Sequence, residues 1–321
     1  MHAVRLYTPD DRSAWDRFVI VSKNGTFLLM RDYMDYHADR FLDFSTLVLD
    51  RRGEPVALFP ANRVDSRVVS HGGLSYGGML SGASMTTSQS LDAFGAWLAF
   101  CKKAGIKEVL YKSIPPIYHR SPADEDKYAL FYFGAELYRR EVLSVVDLHC
   151  PMAPQERRRR GRAKAEKSGL RVEESTSLDS FWSILAENLA SRHGVRPVHT
   201  LGEIQLLHSR FPRNIRLFGV FAGDRMCAGT LLYYALPVVH AQYIAAEAAA
   251  RTDGALDLLF LTLIEAARGT ARYFDFGNSN EQEGRRLNRG LADFKEGFGA
   301  RAICHDFYRI DPVREPPLSS D

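Results

Sequence analysis

The sequence repeats one structural plan twice, and this repeat constrains the fold more than any other feature. An offset of 165 residues aligns the Leu-Asp pair at 91–92 with the pair at 256–257, and each pair opens an apolar helix that leads into a short buried strand. The same offset aligns Phe-Gly-Ala at 133–135 with 298–300, where glycine is expected to end a helix before a final strand. Self-similarity of this kind predicts two copies of one unit.

The segments upstream of these helices repeat as well. Residues 45–64 and 215–235 each read as strand, glycine-containing turn and strand, and helices with Trp15 and Trp182 precede them. Each half then continues as strand, helix, strand, helix and last strand. This order predicts an α/β (mixed α+β) fold class, with a sheet that is antiparallel at first and has a right-handed crossover later. We place the two domains at residues 1–150 and 151–321.

Composition supports two globular domains and excludes several classes of protein. A chain of 321 residues with 45% hydrophobic content can bury a core in each half. Widely spaced cysteines without a C-x-x-C pair argue against a metal site or a disulfide framework, and favour a reducing compartment. No secretory signal is present at the N-terminus, and the longest apolar run, residues 256–267, contains two acidic residues and is too short for a membrane span. We therefore expect a cytoplasmic protein without a metal.

Positive charge is concentrated in one stretch rather than spread over the chain. The formal net charge is only +3, yet residues 154–169 (PQERRRRGRAKAEKSG) hold seven Arg and Lys against two Glu. A protein that coats DNA needs positive charge distributed over a face, so DNA is not expected as a partner. The stretch lies where the first repeat ends, and we predict a basic helix that joins the two domains. Its alternative interpretation is a solvated helix rich in arginine.

Four motifs make the sequence resemble a known bacterial family. They are RAKAEKSG at 162–169, YFDFGNS at 273–279, GLADFKEGFGA at 290–300 and, in the first half, LSYGGML at 74–80. A doubled mixed sheet with these motifs resembles tandem GCN5-related N-acetyltransferase (GNAT) proteins of the FemAB-like or BioF2-like kind, in the branch associated with surface polysaccharides. The resemblance implies two tandem GNAT-like domains, each a central mixed sheet flanked by helices, in a bacterial acyltransferase.

Acyl transfer to an amine needs a proton acceptor, a group that stabilises the oxyanion and a place for the donor. Lys295, in the F-K-x-x-F-G motif, corresponds by resemblance to the lysine beside the reacting carbonyl. Asp275 lies inside an aromatic strand, where a buried carboxylate needs a partner or a perturbed pKa. His240, or Glu247 at the strand end, could take the proton from the amine. A hydrogen-bonded core histidine and a structural aspartate are the alternative interpretations.

The predicted donor site is the loop before the helix at 256. In GNAT proteins the motif [QR]-x-x-G-x-[GA] binds acetyl-CoA here, with the helix N-terminus facing the phosphates. This chain keeps Arg251 and Gly254 of the motif, and Ala255 follows Gly254. The last position of the motif, where a small residue is expected, is Leu256. An ordinary helix N-terminus is the alternative. The first half has a Gly- and Ser-rich segment at 72–90 instead, either a close approach to a ligand or a flexible loop.

Further polar residues are candidates for contacts with the acceptor. Strand alternation places Gln242 on the face of His240, and a polar turn follows Asp275 at the strand end where open α/β sheets bind ligands. A polar loop around Pro197 could clamp an anionic substrate or be a solvated connector. The residues predicted to bind substrate are Arg162, Lys164, Lys167, Arg196, His199, Gln242, Asn278 and Ser279.

These observations lead to one leading function and two alternatives. The first is an N-acyltransferase that moves an acyl group, acetyl from acyl-CoA in the simplest case, onto the amine of an amino sugar, a nucleotide sugar or a lipid-linked envelope precursor. The second is a Fem-like ligase with an aminoacyl-tRNA donor, and only in this case is tRNA a partner. The third is a non-catalytic module that binds a nucleotide sugar.

Overall fold

The computed structural model describes residues 2–314, apart from the side chains of residues 192 and 193. Its contacts divide the chain into two compact units. Unit 1 contains residues 1–141, 282–285 and 304–321, and unit 2 contains residues 142–281 and 286–303. Within the described residues, no helix is both long and apolar enough to cross a membrane.

Unit 1 starts with the first nine strands and four helices of the chain. Its strands are β1 (Ala3–Leu6), β2 (Leu42–Asp43), β3 (Thr46–Leu49), β4 (Pro55–Phe59), β5 (Asn62–Val64), β6 (Arg67–Val69), β7 (Leu80–Ser81), β8 (Glu108–Lys112) and the first half of β9 (Glu136–Asp147). Its helices are α1 (Arg12–Val21), α2 (Arg31–Met34), α3 (Thr87–Lys103) and α4 (Glu125–Tyr132).

Unit 2 has the remaining elements. Its helices are α5 (Glu156–Lys167), α6 (Leu178–His193), α7 (Leu201–Arg210), α8 (Ala248–Thr252), α9 (Ala255–Ala267) and α10 (Arg289–Glu296). Its strands are β10 (Arg171–Ser175), β11 (Ile215–Ala222), β12 (Arg225–Ala235), β13 (Val238–Ala246), β14 (Tyr273–Asn278), β15 (Asn280–Glu281) and β16 (Arg286–Leu287). The last strand, β17 (Arg301–Ile310), begins in unit 2 and ends in unit 1.

The sheet of unit 2 has the order β10-β11-β12-β13-β14-β9. The first three pairings are antiparallel, the β13–β14 pairing is parallel, and β14 is antiparallel to β9. Helix α9 connects the two parallel strands. Nine of its residues are buried. Most of them belong to a core that also includes Val239, Phe274 and Phe298. This is the mixed sheet with a crossover that the sequence predicts.

Unit 1 repeats the plan with shorter strands. One sheet has the order β1-β3-β4-β7, and a second has the order β9-β17-β8-β6-β5-β2, in which β8 and β6 are parallel. Trp97 and Phe94 of α3 pack with Phe59 in the centre of its core. The repeated helices α3 and α9 and the repeated strands β8 and β14 occupy the places that the 165-residue offset predicts.

The last strand of each half does not stay within its own unit. Residues 142–147 of β9 belong to unit 2, where Asp147 pairs with Tyr273, and residues 304–310 of β17 belong to unit 1, where Phe307 pairs with Lys112. The units differ from the predicted domains 1–150 and 151–321 at these two strands, at residues 148–150, which belong to unit 2, and at residues 282–285, which belong to unit 1.

Candidate active site

Strands β13 and β14 of unit 2 run side by side for only three residues. The parallel ladder ends at the pair His240 and Asp275. Beyond this pair the chain of β14 departs from regular geometry, since its register against β9 shifts between Asp275 and Asn278 and Gly277 has a φ of +71°. A side chain at Gly277 would place its Cβ 3.2 Å from the imidazole of His240. The strands therefore separate at the point where two predicted catalytic residues lie.

His240 and Asp275 form a hydrogen-bonded pair. The His240 Nδ1 lies 2.9 Å from Asp275 Oδ2, and the other carboxylate oxygen accepts the backbone N–H of Gly277 at 2.7 Å. Asp275 is 1% exposed. A carboxylate that holds Nδ1 in this way fixes the ring orientation and leaves Nε2 as the nitrogen that can accept a proton. The arrangement suits a general base.

Lys295 joins this pair from α10. The helix begins at Asn288, whose side chain accepts the N–H of Leu291 at 3.0 Å, and its apolar stripe packs Phe294 and Phe298 into the core. The Lys295 ammonium donates to the carbonyl of Gly277 at 3.0 Å and to that of Asn278. The structure buries this lysine, with 3% exposed.

Burial lowers the pKa of Lys295 to about 8, because an ammonium loses hydration in the interior, although the charge of Asp275 acts in the opposite direction. At neutral pH the side chain is still a cation. The structure thus brings Lys295, Asp275 and His240 together, and we call these three residues the splay cluster.

Glu247 is separate from the splay cluster. It follows β13 and lies seven residues from His240 along the strand, roughly 20 Å away at about 3.3 Å per residue. It forms an ion pair with Arg225. As a proton acceptor Glu247 would therefore act at a different place from His240.

A β-bulge changes which residues of β13 share a face. Leu231 pairs with Tyr243 and Leu232 with Ala241, so Gln242 is left out of the ladder. Because of this extra residue, Ile244 packs against the same core cluster as Ala241. Regular alternation therefore stops at Gln242, two residues after His240.

Tyr243 is a polar residue of this strand that alternation did not single out. Its hydroxyl shares a 2.6 Å hydrogen bond with Nδ1 of His199 and accepts the backbone N–H of His199 at 3.3 Å. Its ring packs edge-on against Trp182, and burial raises its pKa to about 12. Gln242 also hydrogen-bonds to it. Tyr243 thus joins the predicted substrate residues Gln242 and His199, while Arg196 lies exposed in the same loop as His199.

The polar turn after β14 supplies backbone rather than side-chain contacts to the cluster. Asn278 provides the carbonyl that accepts from Lys295. Ser279 is 2% exposed, and its hydroxyl has no hydrogen-bond partner among residues 2–314. Both residues therefore lie near the lysine in sequence and fold, and their contact with the substrate stays a prediction.

Unit 2 also has a cavity of about 500 Å³, whose lining includes the later part of β13 but none of the three residues of the splay cluster. Its wall combines a mainly apolar set from five helices and β13 with a few polar side chains. The lining residues are Arg158, Leu185, Asn188, Leu189, Ile244, Ala245, Arg251, Leu256, Asp257, Asn288, Gly290, Leu291 and Phe294. A cavity of this volume is typical of small-molecule sites. Phe294, which precedes Lys295, connects this wall to the splay cluster.

The predicted CoA loop borders the cavity but is engaged by the protein itself. Arg251 donates to Asn188 Oδ1 at 2.6 Å and to the carbonyl of Ala246 at 3.1 Å. Gly254 has a φ of +81°, and a Cβ there would lie 2.2 Å from the carbonyl oxygen of Gly161. Ala255 is fully buried. Helix α5 therefore covers the N-terminus of α9.

The charges of α5 are largely neutralised by carboxylates of the same unit. The ion pairs are Arg157–Asp293, Arg158–Asp257, Arg159–Glu156, Arg160–Glu156, Arg162–Glu166, Arg162–Glu265 and Lys164–Asp253. Lys167 is exposed. Phosphate binding by Arg162 and Lys164, which the sequence predicts, would require these two side chains to exchange carboxylate partners for phosphate. No group of three or more His, Cys, Asp or Glu that could hold a metal occurs among the described residues.

Comparisons with known proteins agree with this geometry. A family model described as an acetyltransferase (GNAT) domain matches residues 155–296. No curated protein sequence matches the chain. Among solved structures, FemX is 15% identical, with a TM-score of 0.65 over 95% of this chain and 96% of its own.

Two further structures show the same fold at low identity. The C-terminal domain of a putative lysylphosphatidylglycerol synthetase from Agrobacterium fabrum is 12% identical, with a TM-score of 0.62 over 94% of this chain and 91% of its own. A tandem GNAT protein from the clavulanic acid biosynthesis pathway is 10% identical, with a TM-score of 0.52 over 98% of this chain and all of its own. This chain therefore has a GNAT fold similar to that of FemX, and the model of a GNAT acetyltransferase domain matches its residues 155–296.

Proposed function

We propose that unit 2 is an N-acyltransferase that moves an acyl group from a thioester donor onto an amine. The observation that carries this proposal is the splay cluster, in which Lys295, Asp275 and His240 meet where β13 and β14 separate. A base, a buried cation and a cavity in the same unit would supply the proton acceptor, the oxyanion stabiliser and the place for the donor that acyl transfer to an amine requires.

The chemistry can be assigned atom by atom. The amine nitrogen attacks the thioester carbonyl carbon, so that a C–N bond forms and the C–S bond then breaks. The amine proton passes to His240 Nε2, which Asp275 orients through Nδ1, and His240 then gives this proton to the departing thiolate. An ammonium has three N–H donors, and Lys295 uses two on the carbonyls of Gly277 and Asn278. Its third N–H and its charge would stabilise the oxyanion.

For the acceptor we propose the amine of an amino sugar, carried by a nucleotide or by a lipid-linked cell-envelope precursor. Support comes from the polar network of Gln242, Tyr243 and His199 on β13 and the neighbouring loop. Exposed cations in unit 2, Arg196 and Lys167, would meet the phosphates of such a carrier. This assignment follows the resemblance to the branch associated with polysaccharides.

A second candidate is an aminoacyl-tRNA-dependent ligase. It is favoured by the fold similarity to FemX and to a lysylphosphatidylglycerol synthetase, whose name indicates transfer of an amino acid. The state of Arg251, which is bound to Asn188 and Ala246 rather than directed at a donor, also favours it. In this case the cavity would receive an aminoacyl ester.

The test is a matrix of donors and acceptors analysed by mass spectrometry. Acetyl-CoA and a mixture of aminoacyl-tRNAs are each incubated with the protein and with glucosamine, UDP-glucosamine or an amino-sugar lipid. We expect a product heavier by one acetyl group with acetyl-CoA. An aminoacylated product with tRNA alone would replace the first proposal by the second. If neither donor gives a product and neither donor raises the melting temperature, both proposals are contradicted. The non-catalytic binding module would then be favoured.

A further inference from the structure

The first turn of α9 is closed by backbone of α5. A Cβ at Gly254 would lie 2.2 Å from the carbonyl oxygen of Gly161, and a Cβ at Gly161 would lie 1.9 Å from Asp257 Oδ2. Gly254 and Gly161 therefore let the backbone of α5 approach the first turn of α9, and Gly161 also leaves room for the side chain of Asp257. A phosphate oxygen needs about 2.7–3.2 Å to each backbone N–H that binds it, and the contact leaves no such space. The helix N-terminus that should face donor phosphates is filled by protein.

The charge at this turn also opposes a diphosphate. Asp257 lies in the first turn of α9 and forms an ion pair with Arg158 at 2.8 Å, with only 12% of the arginine and 14% of the aspartate side chain exposed. Lys164 caps the same region, since it donates to the carbonyl of Thr252 at 3.0 Å and pairs with Asp253 at 3.1 Å. The positive end of the helix already has an anion in Asp257, and Arg158 and Lys164 are each paired with a carboxylate. Arg251, the third nearby cation, is held by Asn188 and by the carbonyl of Ala246.

What remains for the donor is the cavity, and its polar side chains are mostly paired with each other. Arg158 is bound to Asp257, and Asn188 accepts from Arg251 while donating to Ile184. Asn288 donates to Glu281 and accepts from Leu291. The rest of the wall is mainly apolar, with Leu185, Leu189, Ile244, Leu256, Leu291 and Phe294. Such a wall suits an uncharged ligand.

We infer that unit 2 binds its acyl donor through an uncharged pantetheine-type arm in this cavity, without seating a nucleotide diphosphate on α9. The inference rests on the proposed function, because it concerns the thioester donor of that reaction. An acyl-pantetheine thioester has amides and methylenes along its arm, and it occurs both in CoA and on carrier proteins. Donors that share this arm should have similar kcat/KM values, whether or not they carry the adenosine diphosphate.

The experiment compares kcat/KM for acetyl-CoA and for acetyl-pantetheine, which lacks the nucleotide. We expect values within about threefold of each other. Two charge-assisted hydrogen bonds to a diphosphate would stabilise binding by about 3 kcal/mol or more, which corresponds to a preference of at least about 100-fold for acetyl-CoA. A preference of that size would overturn the inference. An acetylated carrier protein is the third donor. Its kcat/KM relative to that of acetyl-CoA shows whether the protein prefers the arm on CoA or on a carrier protein.

Two variants locate the arm and the diphosphate separately. Leu291→Trp, at a cavity residue that is 38% exposed, should raise KM for both donors by a similar factor of about ten, because the larger side chain fills the cavity. Leu206→Trp on α7, at a residue that is 40% exposed, is the matched control and should leave both values unchanged. Lys164→Ala should alter both donors equally. A loss confined to acetyl-CoA would place its diphosphate on α9 and contradict the inference.

Failure of the proposed function has a separate signature. If neither thioester is turned over, the transfer reaction is wrong, and binding of CoA and of pantetheine is then measured by calorimetry. Similar affinities for the two, both weakened by Leu291→Trp, would still support the inference. A CoA affinity at least about 100-fold higher, or no binding of either compound, would overturn it.

Discussion

At the scale of single residues, the proposed chemistry depends on a buried cation close to a buried carboxylate. Lys295 and Asp275 are both almost fully inaccessible to solvent, and the lysine reaches the carbonyls where β14 ends. Burial of a charge without a partner is costly, and both side chains are held by hydrogen bonds at the strand end. The lost hydration lowers the pKa of Lys295 and makes the lysine sensitive to pH.

The first prediction follows from that lowered pKa. Since burial brings the pKa of Lys295 from 10.5 to about 8, kcat should fall above pH 8 as the ammonium deprotonates. Lys295→Arg should move this alkaline limb beyond pH 10, because a guanidinium has a pKa above about 12, whereas Lys295→Met should have low activity throughout. Activity of the wild-type protein that does not decrease up to pH 10 would contradict the assignment.

The same shift has a consequence for stability. The unfolded chain binds its proton with a pKa of 10.5 and the folded chain with a pKa of about 8, so the unfolded state holds more protons between these values. The contribution of Lys295 to the free energy of unfolding therefore increases as the pH rises through this window. The activity and the stability contributed by this lysine change in opposite directions.

Sequence reasoning found the members of the splay cluster by different routes. Asp275 was identified because a carboxylate inside an aromatic strand needs a partner or a perturbed pKa. Lys295 was identified by its motif alone. Tyr243 was missed because alternation assigned it to the face opposite His240, and the bulge at Gln242 could not be read from the pattern. A bulge depends on how two strands pair, which is information that one strand does not contain.

At the scale of elements, the contact between α5 and α9 has the strongest consequence. The sequence described α5 as a basic helix that joins two domains and binds phosphate. In the structure its arginines pair with carboxylates of α9 and α10, and Gly161 lets its backbone touch α9. Exposed ion pairs stabilise a protein by about 0–1 kcal/mol each, so the close backbone packing matters more for stability than their number.

Gly161→Ala tests this packing. In a helix, alanine is favoured over glycine by about 1 kcal/mol, but at this position the Cβ would lie 1.9 Å from Asp257 Oδ2. We expect a net loss of about 1–3 kcal/mol in the free energy of unfolding, as for other overpacked sites, measured by urea denaturation. Gly202→Ala on α7 is the matched control, because a Cβ there meets no atom within 4 Å.

The control should be stabilised by up to about 1 kcal/mol. Equal stabilisation of both variants would show that α5 does not contact α9 as described. The prediction therefore separates helix propensity, which the two sites share, from close packing, which only Gly161 has.

At the scale of the whole molecule, the repeat predicted the mixed α/β fold and the order of elements. It could do so because amphipathic helices and buried strands have local signatures. The partners of β9 and β17 were not predicted, since the apolar residues of a strand do not specify which neighbour it pairs with. That choice depends on contacts between residues more than a hundred positions apart, such as Tyr273 with Asp147 and Phe307 with Lys112.

Unit 1 supplies a prediction for the stability of the molecule. Asp126 is 4% exposed and accepts the hydroxyl of Tyr111 at 2.6 Å, and burial raises the pKa of this carboxyl from 3.8 to about 6. The folded state therefore holds more protons than the unfolded state between pH 4 and 6, and the stability contributed by Asp126 is lost as the pH rises through this window. Asp126→Asn should remove that part of the pH dependence.

The measurement is the difference in free energy of unfolding between Asp126→Asn and the wild-type protein at pH 4 and at pH 7. The variant should gain stability relative to the wild-type protein between pH 4 and pH 7. The buried carboxyl of the wild-type protein ionises over this range, whereas the amide does not. The same difference at both values would mean that Asp126 titrates as an exposed carboxyl. Using a difference cancels the contribution of other groups, including Asp11, whose pKa is lowered by Arg5.

The central claim is that acyl transfer takes place at the splay cluster, and the turnover number of Asp275→Asn tests it most directly. The substitution keeps the size of the side chain but removes the charge that orients His240. We predict that kcat falls on the order of a hundredfold or more, with an unchanged circular dichroism spectrum, while Asp224→Asn at an exposed turn has wild-type turnover. Wild-type turnover in folded Asp275→Asn would contradict the account.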